Sequence, residues 1–318
     1  MRFQVLAQLW SINSVFRSSR NHNMKKNDYT IILFYKFTKI KNPELFKLQQ
    51  RKIAESFNLK GRMLIAKEGV NATFEGEIKK IKGYIKKLRE QKIFKNVVFK
   101  DSVGNGKGFT KLQIKVRPKV VTLGIGELNV EKDTVPVVTA QKLEKMYAKD
   151  DDFVVLDLRN NYEVEAGYFE KTVNPKLKNF RDLPSKLKEL EYLKNPSTSS
   201  GQAKKIVAVC TGGVRCEKAT VLLKKEGFTN LYQLKGGIHT YMKKYPGKHF
   251  KGSLFVFDNR MVTPVVDSVA REIVGKCFYC RAKCEEFYND DSFRPSQKVI
   301  CCNTCIINRK NLRRCIPV

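Results

Sequence analysis

The chain has 318 residues, 42% of them hydrophobic, and carries 62 Lys and Arg against 31 Asp and Glu, a formal net charge of +31. That length and apolar fraction suit two or three packed domains and exclude a disordered chain. No run reaches the roughly 18 consecutive apolar residues of a membrane span, and the positive excess points to a polyanion, nucleic acid first, as partner.

Residues 1–24 hold Arg and Ser but no acid. They are expected to be a disordered extension upstream of an ordinary start at Met24 rather than an organelle presequence, so the protein is expected in the cytoplasm. Residues 25–127 carry 25 Lys or Arg and nine acids, a net of +16, about half of the total excess. Here "YTIILFYKF" reads as a buried strand and "NPELFKLQQRKIAESFNLK" as a helix stopped by Gly61. "GRMLIAKEGVNATFEG" reads as strand, turn and strand. "EIKKIKGYIKKLREQKIF" is a second helix with Ile78, Ile81, Ile85 and Leu88 on one face, and "KLQIKVRPKVV" a closing strand. The order βαββαβ is that of a ferredoxin-like α+β domain over 25–127, an arrangement that by itself specifies no activity.

Over 136–250 strands and helices alternate. "DDFVVLDLR", "KKIVAVC" and "NLYQLKGG" are apolar runs expected of parallel strands buried on both faces. "CEKATVLLKKEGF" is a helix with Gly227 as its C-cap. The composition is that of an α/β domain on a parallel sheet, with "NPSTSSGQA" a polar insertion loop. Residues 251–318 form a small region with seven of the nine cysteines, too short for a large core and in need of a staple.

The stretch "VCTGGVRCEKAT" carries the chemistry. Cys210 directly follows the strand "IVAV", so the loop "CTGGVR" lies at the carboxyl end of a parallel strand and the start of a helix, where ligands bind in open sheets. Unpaired N–H groups, the helix dipole and Arg215 stabilise a thiolate there, and Gly212 and Gly213 let the backbone curl around the sulfur. An enzymatic role requires that sulfur to be reachable and to face a cationic surface. The opposing readings are an inert buried cysteine and, for Cys216, a helix-packing residue. The C-x5-C spacing does not suit zinc. In the tail, "CFYC" and "CNTC" form a C-x2-C, x21, C-x2-C array, so Cys277, Cys280, Cys302 and Cys305 are candidate ligands of a structural zinc, with Cys284, Cys301 and Cys315 left over.

"CTGGVR" after a strand, with "VVLDLRNNYEVEAGYF" upstream and "LYQLKGGIHTY" downstream, resembles a rhodanese domain, whose loop carries a catalytic cysteine at the position of Cys210. Together with "GRMLIAKEGVNAT", "FVFDNR" and the Cys-rich tail, the longer "CTGGVRCEKAT" is similar to the rhodanese-related tRNA uridine hydroxylase family (TrhO/YceA) over roughly residues 25–310. The resemblance implies oxygen-dependent hydroxylation of the wobble uridine of tRNA to 5-hydroxyuridine. Dioxygen is then co-substrate, the anticodon loop of tRNA the partner, and the basic first domain a holder of that tRNA.

Within that reading Cys210 is the nucleophile that adds to C6 of uracil, Arg215 and the loop amides steady the negative charge, and Cys216 resolves the oxidised sulfur. The alternative is a sulfurtransferase carrying a persulfide on Cys210, for tRNA thiolation or sulfur relay; a tRNA-binding module without turnover is a third. Tyr162, Phe169 and Tyr241 are candidates for stacking on unpaired bases. Asp157 and Arg159 are expected to be structural, and none of His22, His239 and His249 is given a role.

Overall fold

The computed structural model describes residues 28–126, 128–130, 132–195, 204–263 and 272–315. The expected extension at 1–24 and the greater part of the "NPSTSSGQA" loop lie outside the described residues.

The first unit contains β1 (Tyr29–Phe37), α1 (Pro43–Ser56), β2 (Lys60–Ala66), β3 (Gly69–Glu77), α2 (Ile78–Arg89), β4 (Lys100–Val103) and β5 (Leu112–Val116). Its sheet runs β4-β1-β3-β2-β5. The first four strands are antiparallel neighbours, as a ferredoxin-like unit requires, and β5 adds a fifth strand parallel to β2. The closing strand of the βαββαβ order is therefore the short "KDSV", and "KLQIKV" extends the opposite edge.

α1 is capped by the Asn42 side chain, which accepts from the N–H of Leu45, with Pro43 in its first turn. It ends before Gly61. The chain reverses at Asn58, whose φ of 52° is left-handed, while Gly61 sits inside β2 at φ +134°, where a Cβ would lie 2.2 Å from the Thr73 carbonyl oxygen. α2 buries Ile81, Tyr84 and Leu88; Tyr84 packs edge-on against Phe57 and Phe74, and this turns the helix so that Ile78 is exposed.

β1 has two buried faces of different purpose. Ile32 and Phe34 join the core under the helices. Ile31, Leu33 and Tyr35, alternating with them, point to the other side of the sheet and line a cavity against the second unit.

That second unit holds β6 (Val137–Val138), α3 (Ala140–Ala148), β7 (Phe153–Asp157), α4 (Asn161–Glu165), β8 (Gly167–Phe169), β9 (Thr172–Val173), β10 (Lys205–Val209), α5 (Val214–Lys225), β11 (Leu231–Leu234) and α6 (Gly237–Lys244). Its sheet, β6-β11-β10-β7-β9, is parallel throughout. Alternate residues of β10 feed two separate cores, Ile206 and Ala208 on one face and Val207 and Val209 on the other, which is why "IVAV" is apolar without alternation. α5 ends as expected at Gly227 (φ +84°): the N–H of Gly227 donates to the carbonyl of Lys224, and that of Phe228 to Leu223.

The last region begins with β12 (Phe250–Gly252), which pairs with β8, and the hairpin β13 (Leu254–Phe255) and β14 (Val262–Thr263). A sheet of β15 (Phe287–Asp290), β16 (Gln297–Ile300) and β17 (Leu312–Arg314), with α7 (Asn303–Ile307), completes it. Its core is small and built largely on cysteines and aromatics. Among the described residues no helix is long and apolar enough to cross a membrane.

Candidate active site

The Cys210 loop lies where the two sheets face each other. Its geometry starts from α5, whose first residues present backbone N–H groups to the sulfur: the Gly213 amide donates to Cys210 Sγ at 3.1 Å. Gly213 takes φ +100° to do so, and a Cβ there would lie 2.9 Å from Tyr35 Oη. One at Gly212 would lie 2.6 Å from Leu33 Cδ2. The glycine pair thus serves two ends, the curl around the sulfur and the close approach of β1 from the first unit.

Burial by itself would raise the Cys210 thiol. A hydrogen bond from the Cys216 thiol, the charge of Arg215 and the amides of Arg215 and Cys216 outweigh it and bring Cys210 down to about 5. Cys216, at the first turn of α5, moves the opposite way: burial and its bond to Cys210 hold it well above the ordinary thiol value. The two sulfurs are thus pulled in opposite directions, Cys210 towards the ionised form and Cys216 towards the thiol that donates to it.

Arg215 is 6% exposed and makes a two-pronged ion pair with the fully buried Glu163, Nη1 to Oε1 at 2.5 Å and Nη2 to Oε2 at 2.8 Å. Glu163 is itself fixed as the capping-box residue of α4. Thr211 Oγ1 donates to the same carboxylate at 3.4 Å. Asp157 and Arg159 form a separate, fully buried pair, and Arg159 also donates to the carbonyls of Glu163 and Gly167; these two residues hold the turn after β7, as expected.

The sulfur does not stand open at the sheet edge as the loop's position suggested. Cys210 has no exposed surface, so the access that an enzymatic role requires is not open in this structure; Leu33 and Tyr35 of β1 lie against the glycine pair of the loop. Cys210 instead borders a cavity of about 350 Å³ shared by both units, whose lining includes Tyr35, Arg62, Lys100, His239, Phe257 and Arg260. Thr122, Asn179 and Arg181 also line it and are exposed, so the cavity reaches the surface on that side. Five Lys or Arg residues line it, but Arg215 is paired with Glu163 and Arg260 with Asp258, and much of the remaining wall is apolar. Phe257 carries the guanidinium groups of Arg62 and Arg215 over its ring, at 5.3 and 5.9 Å.

Contacts between the units surround this cavity. Tyr35 Oη donates to Glu217 Oε1 at 3.0 Å. The buried Lys218 spans to both oxygens of Glu68 and to the Val121 carbonyl at 2.7–2.9 Å. From the last region, Arg260 donates to the carbonyl of Val103, and Asn259 to that of Lys107. The "FDNR" turn is thus a clamp onto the first sheet.

The structure brings Cys210, Arg215 and Cys216 together and leaves the three proposed stacking aromatics elsewhere. Phe169 and Tyr241 are fully buried in the core of the second unit, and Tyr162 packs against Phe255 and Phe287. The aromatic residues at the cavity are Tyr35 and Phe257, with Phe180. Sequence reasoning also missed Glu163, Lys100 and His239.

In the tail, the sulfurs of Cys277, Cys280, Cys302 and Cys305 all lie within 4.8 Å of one another, and those of Cys280 and Cys302 are 3.5 Å apart. Two turns present them: the N–H of Arg281 donates to the Cys277 carbonyl, and that of Cys305 to Cys302. Zn–S bonds of about 2.3 Å in a tetrahedron place sulfurs a little under ~4 Å apart, so the donor set and spacing fit such an ion. Cys284, Cys301 and Cys315 are buried around this cluster.

The UPF0176 acylphosphatase like domain family matches residues 29–120, the rhodanese-like domain family residues 139–244, and the rhodanase C-terminal family residues 251–317. The chain is 38% identical over 279 residues to the tRNA uridine(34) hydroxylase of Onion yellows phytoplasma (strain OY-M), covering 86% of this chain and 87% of that one. It is 35% identical over 280 residues to the protein of that name from Bacillus cereus (strain G9842), covering 86% and 84%. To that from Staphylococcus haemolyticus (strain JCSC1435) it is 37% identical over 269 residues, covering 82% and 80%.

Proposed function

The chain belongs to the family of the tRNA uridine(34) hydroxylases, and on that premise we propose that it converts the wobble uridine of tRNA to 5-hydroxyuridine in the cytoplasm, using dioxygen and the Cys210 thiolate. The observation that carries this is Cys210, its sulfur held by the Gly213 amide at the start of α5 next to Arg215, in the wall of a cavity that both sheets line. A flipped base enters by the side where Arg181 is exposed, while the basic first unit holds the surrounding phosphates.

The thiolate adds to C6, forming an S–C6 bond and moving the C5=C6 pair into an enolate over C5 and O4. C5 takes up dioxygen as a hydroperoxide, and loss of the C5 proton expels Cys210 and restores the ring double bond. Cys210 then removes the distal oxygen, leaving 5-hydroxyuridine and a sulfenic acid. The neighbouring Cys216 thiol condenses with it, releasing water and closing a disulfide. One dioxygen and two thiols are consumed; 5-hydroxyuridine, one water and one disulfide result. An external thiol must reduce that disulfide before the next turnover. Since the thiolate is the reacting form, addition is expected at full strength above pH 5 or so and lost as pH falls through the lowered Cys210 value of about 5.

Cys277, Cys280, Cys302 and Cys305 are the residues to hold a structural zinc, which would cross-link the two turns of the tail and takes no part in the hydroxylation.

The test is mass analysis of nucleosides from tRNA incubated with purified protein under labelled dioxygen. The wobble uridine is expected to gain one labelled oxygen, and to gain none under argon. Unmodified tRNA, with thiocyanate formed from thiosulfate and cyanide, would make the protein a sulfurtransferase instead.

A further inference from the structure

When Cys210 adds to C6, the negative charge leaves the sulfur and arrives on O4 of the base. Arg215, beside the sulfur, is fully engaged by Glu163 through both prongs of its guanidinium, so its charge is already matched. Another cation is needed where the charge arrives.

Lys100, on β4 of the first unit, is only 7% exposed, lines the same cavity, and makes no ion pair among the described residues. Its ammonium lies 4.8 Å from the centre of the Tyr35 ring. Facing it are Tyr35 from β1, Cys210 from the loop, Glu217 from α5 and His239 from α6. Asp101, its neighbour on β4, is taken by Lys243 at 2.6 Å, and Glu217 accepts from Tyr35. Burial lowers Lys100 to about 8, against the opposing pull of Cys210 and Glu217. His239, bordering the cavity, is lowered to about 4 by burial and by the charges of Lys100 and Lys243, so it is neutral, and its Nδ1 is buried without a hydrogen-bond partner. A buried cation without a carboxylate partner is costly to the fold, and such groups persist where a ligand supplies the missing charge.

We propose that Lys100 is a catalytic residue contributed by the first unit, donating from its ammonium to O4 of the uracil as the S–C6 bond forms. The inference rests on the hydroxylase reading above and adds to it the residue that receives the charge. The step balances without an oxidant: the sulfur lone pair becomes the S–C6 bond, the C5=C6 pair moves to C4–C5, and the C4=O4 pair moves to O4, where the Lys100 proton is shared. A cytosine presents an amino group there, two donors meeting another donor, so the same residue selects uridine.

The test is single-turnover hydroxylation of bound tRNA by the unsubstituted protein, Lys100→Met and Lys100→Arg, with tRNA affinity and thermal unfolding measured on each. Lys100→Met is expected to slow hydroxylation by about 10²- to 10³-fold, and to leave the Kd for tRNA within about twofold and the Tm close to that of the unsubstituted protein, because Met fills the same space and Lys100 makes no hydrogen-bonded ion pair among the described residues. The unsubstituted protein should lose rate as pH rises through about 8. Lys100→Arg should retain most of the rate and stay flat on the alkaline side, since a guanidinium keeps its proton there. Hydroxylation by Lys100→Met at the unsubstituted rate, or a loss accompanied by a lowered Tm that Lys100→Arg does not rescue, would overturn the proposal while leaving the Cys210 reading intact. No product from the unsubstituted protein would overturn that reading and this proposal together.

Discussion

The loop and the tail each gather cysteines, and they hold them in opposite ways. Around Cys210 the sulfur's neighbours are an amide at 3.1 Å, a guanidinium and a thiol donor, and the residue stands in the wall of a cavity. In the tail four sulfurs face each other within 4.8 Å. The first arrangement favours one ionised sulfur; the second favours a cation shared by four sulfurs. What surrounds a cysteine, more than its spacing from the next one, decides between nucleophile and ligand.

Substitution separates the two. Cys210→Ser should lower hydroxylation by roughly 10³-fold or more, because an alcohol is not ionised there, while leaving the Tm nearly unchanged. Cys302→Ser should do the reverse: zinc is lost on metal analysis and the tail unfolds at lower temperature, because zinc binding is folding free energy in so small a core, while hydroxylation falls by no more than about tenfold. A Cys302→Ser protein that kept both its metal content and its Tm would erase the contrast. Gly213→Ala should have the smallest effect, about 1–3 kcal/mol in urea unfolding for a side chain at φ +100°. Its hydroxylation rate should fall modestly as the amide is pushed off Cys210 by Tyr35.

The loop was legible because everything that defines it is local: a strand end, two glycines and an arginine within six residues. The tail was legible for the same reason, as ligand spacing. "YTIILFYKF" was legible as a buried strand, but nothing within it says that Leu33 and Tyr35 meet a second unit. Lys100 lies in a four-residue strand with no periodic signal, so "KLQIKV" took its place in the expected order. Tyr162, Phe169 and Tyr241 were placed near the loop by chain position, yet large aromatics yield more free energy in cores, and the cavity draws its rings from Tyr35 and Phe257 instead. Glu163 was hidden because "NNYEVEAG" offers two carboxylates, Glu163 and Glu165, with nothing local to tell the partner of Arg215 from a surface residue or a helix cap, which Glu163 also is.

The most direct test uses an anticodon stem-loop carrying 5-fluorouridine at the wobble position, mixed with the protein under oxygen and digested for peptide mass mapping, because once C5 has taken up dioxygen the fluorine leaves no C5 proton whose loss would expel Cys210. The account predicts one covalent adduct per chain, on the peptide containing Cys210, and none with Cys210→Ser. An adduct on another cysteine, or none at all from protein that hydroxylates ordinary tRNA, would contradict it.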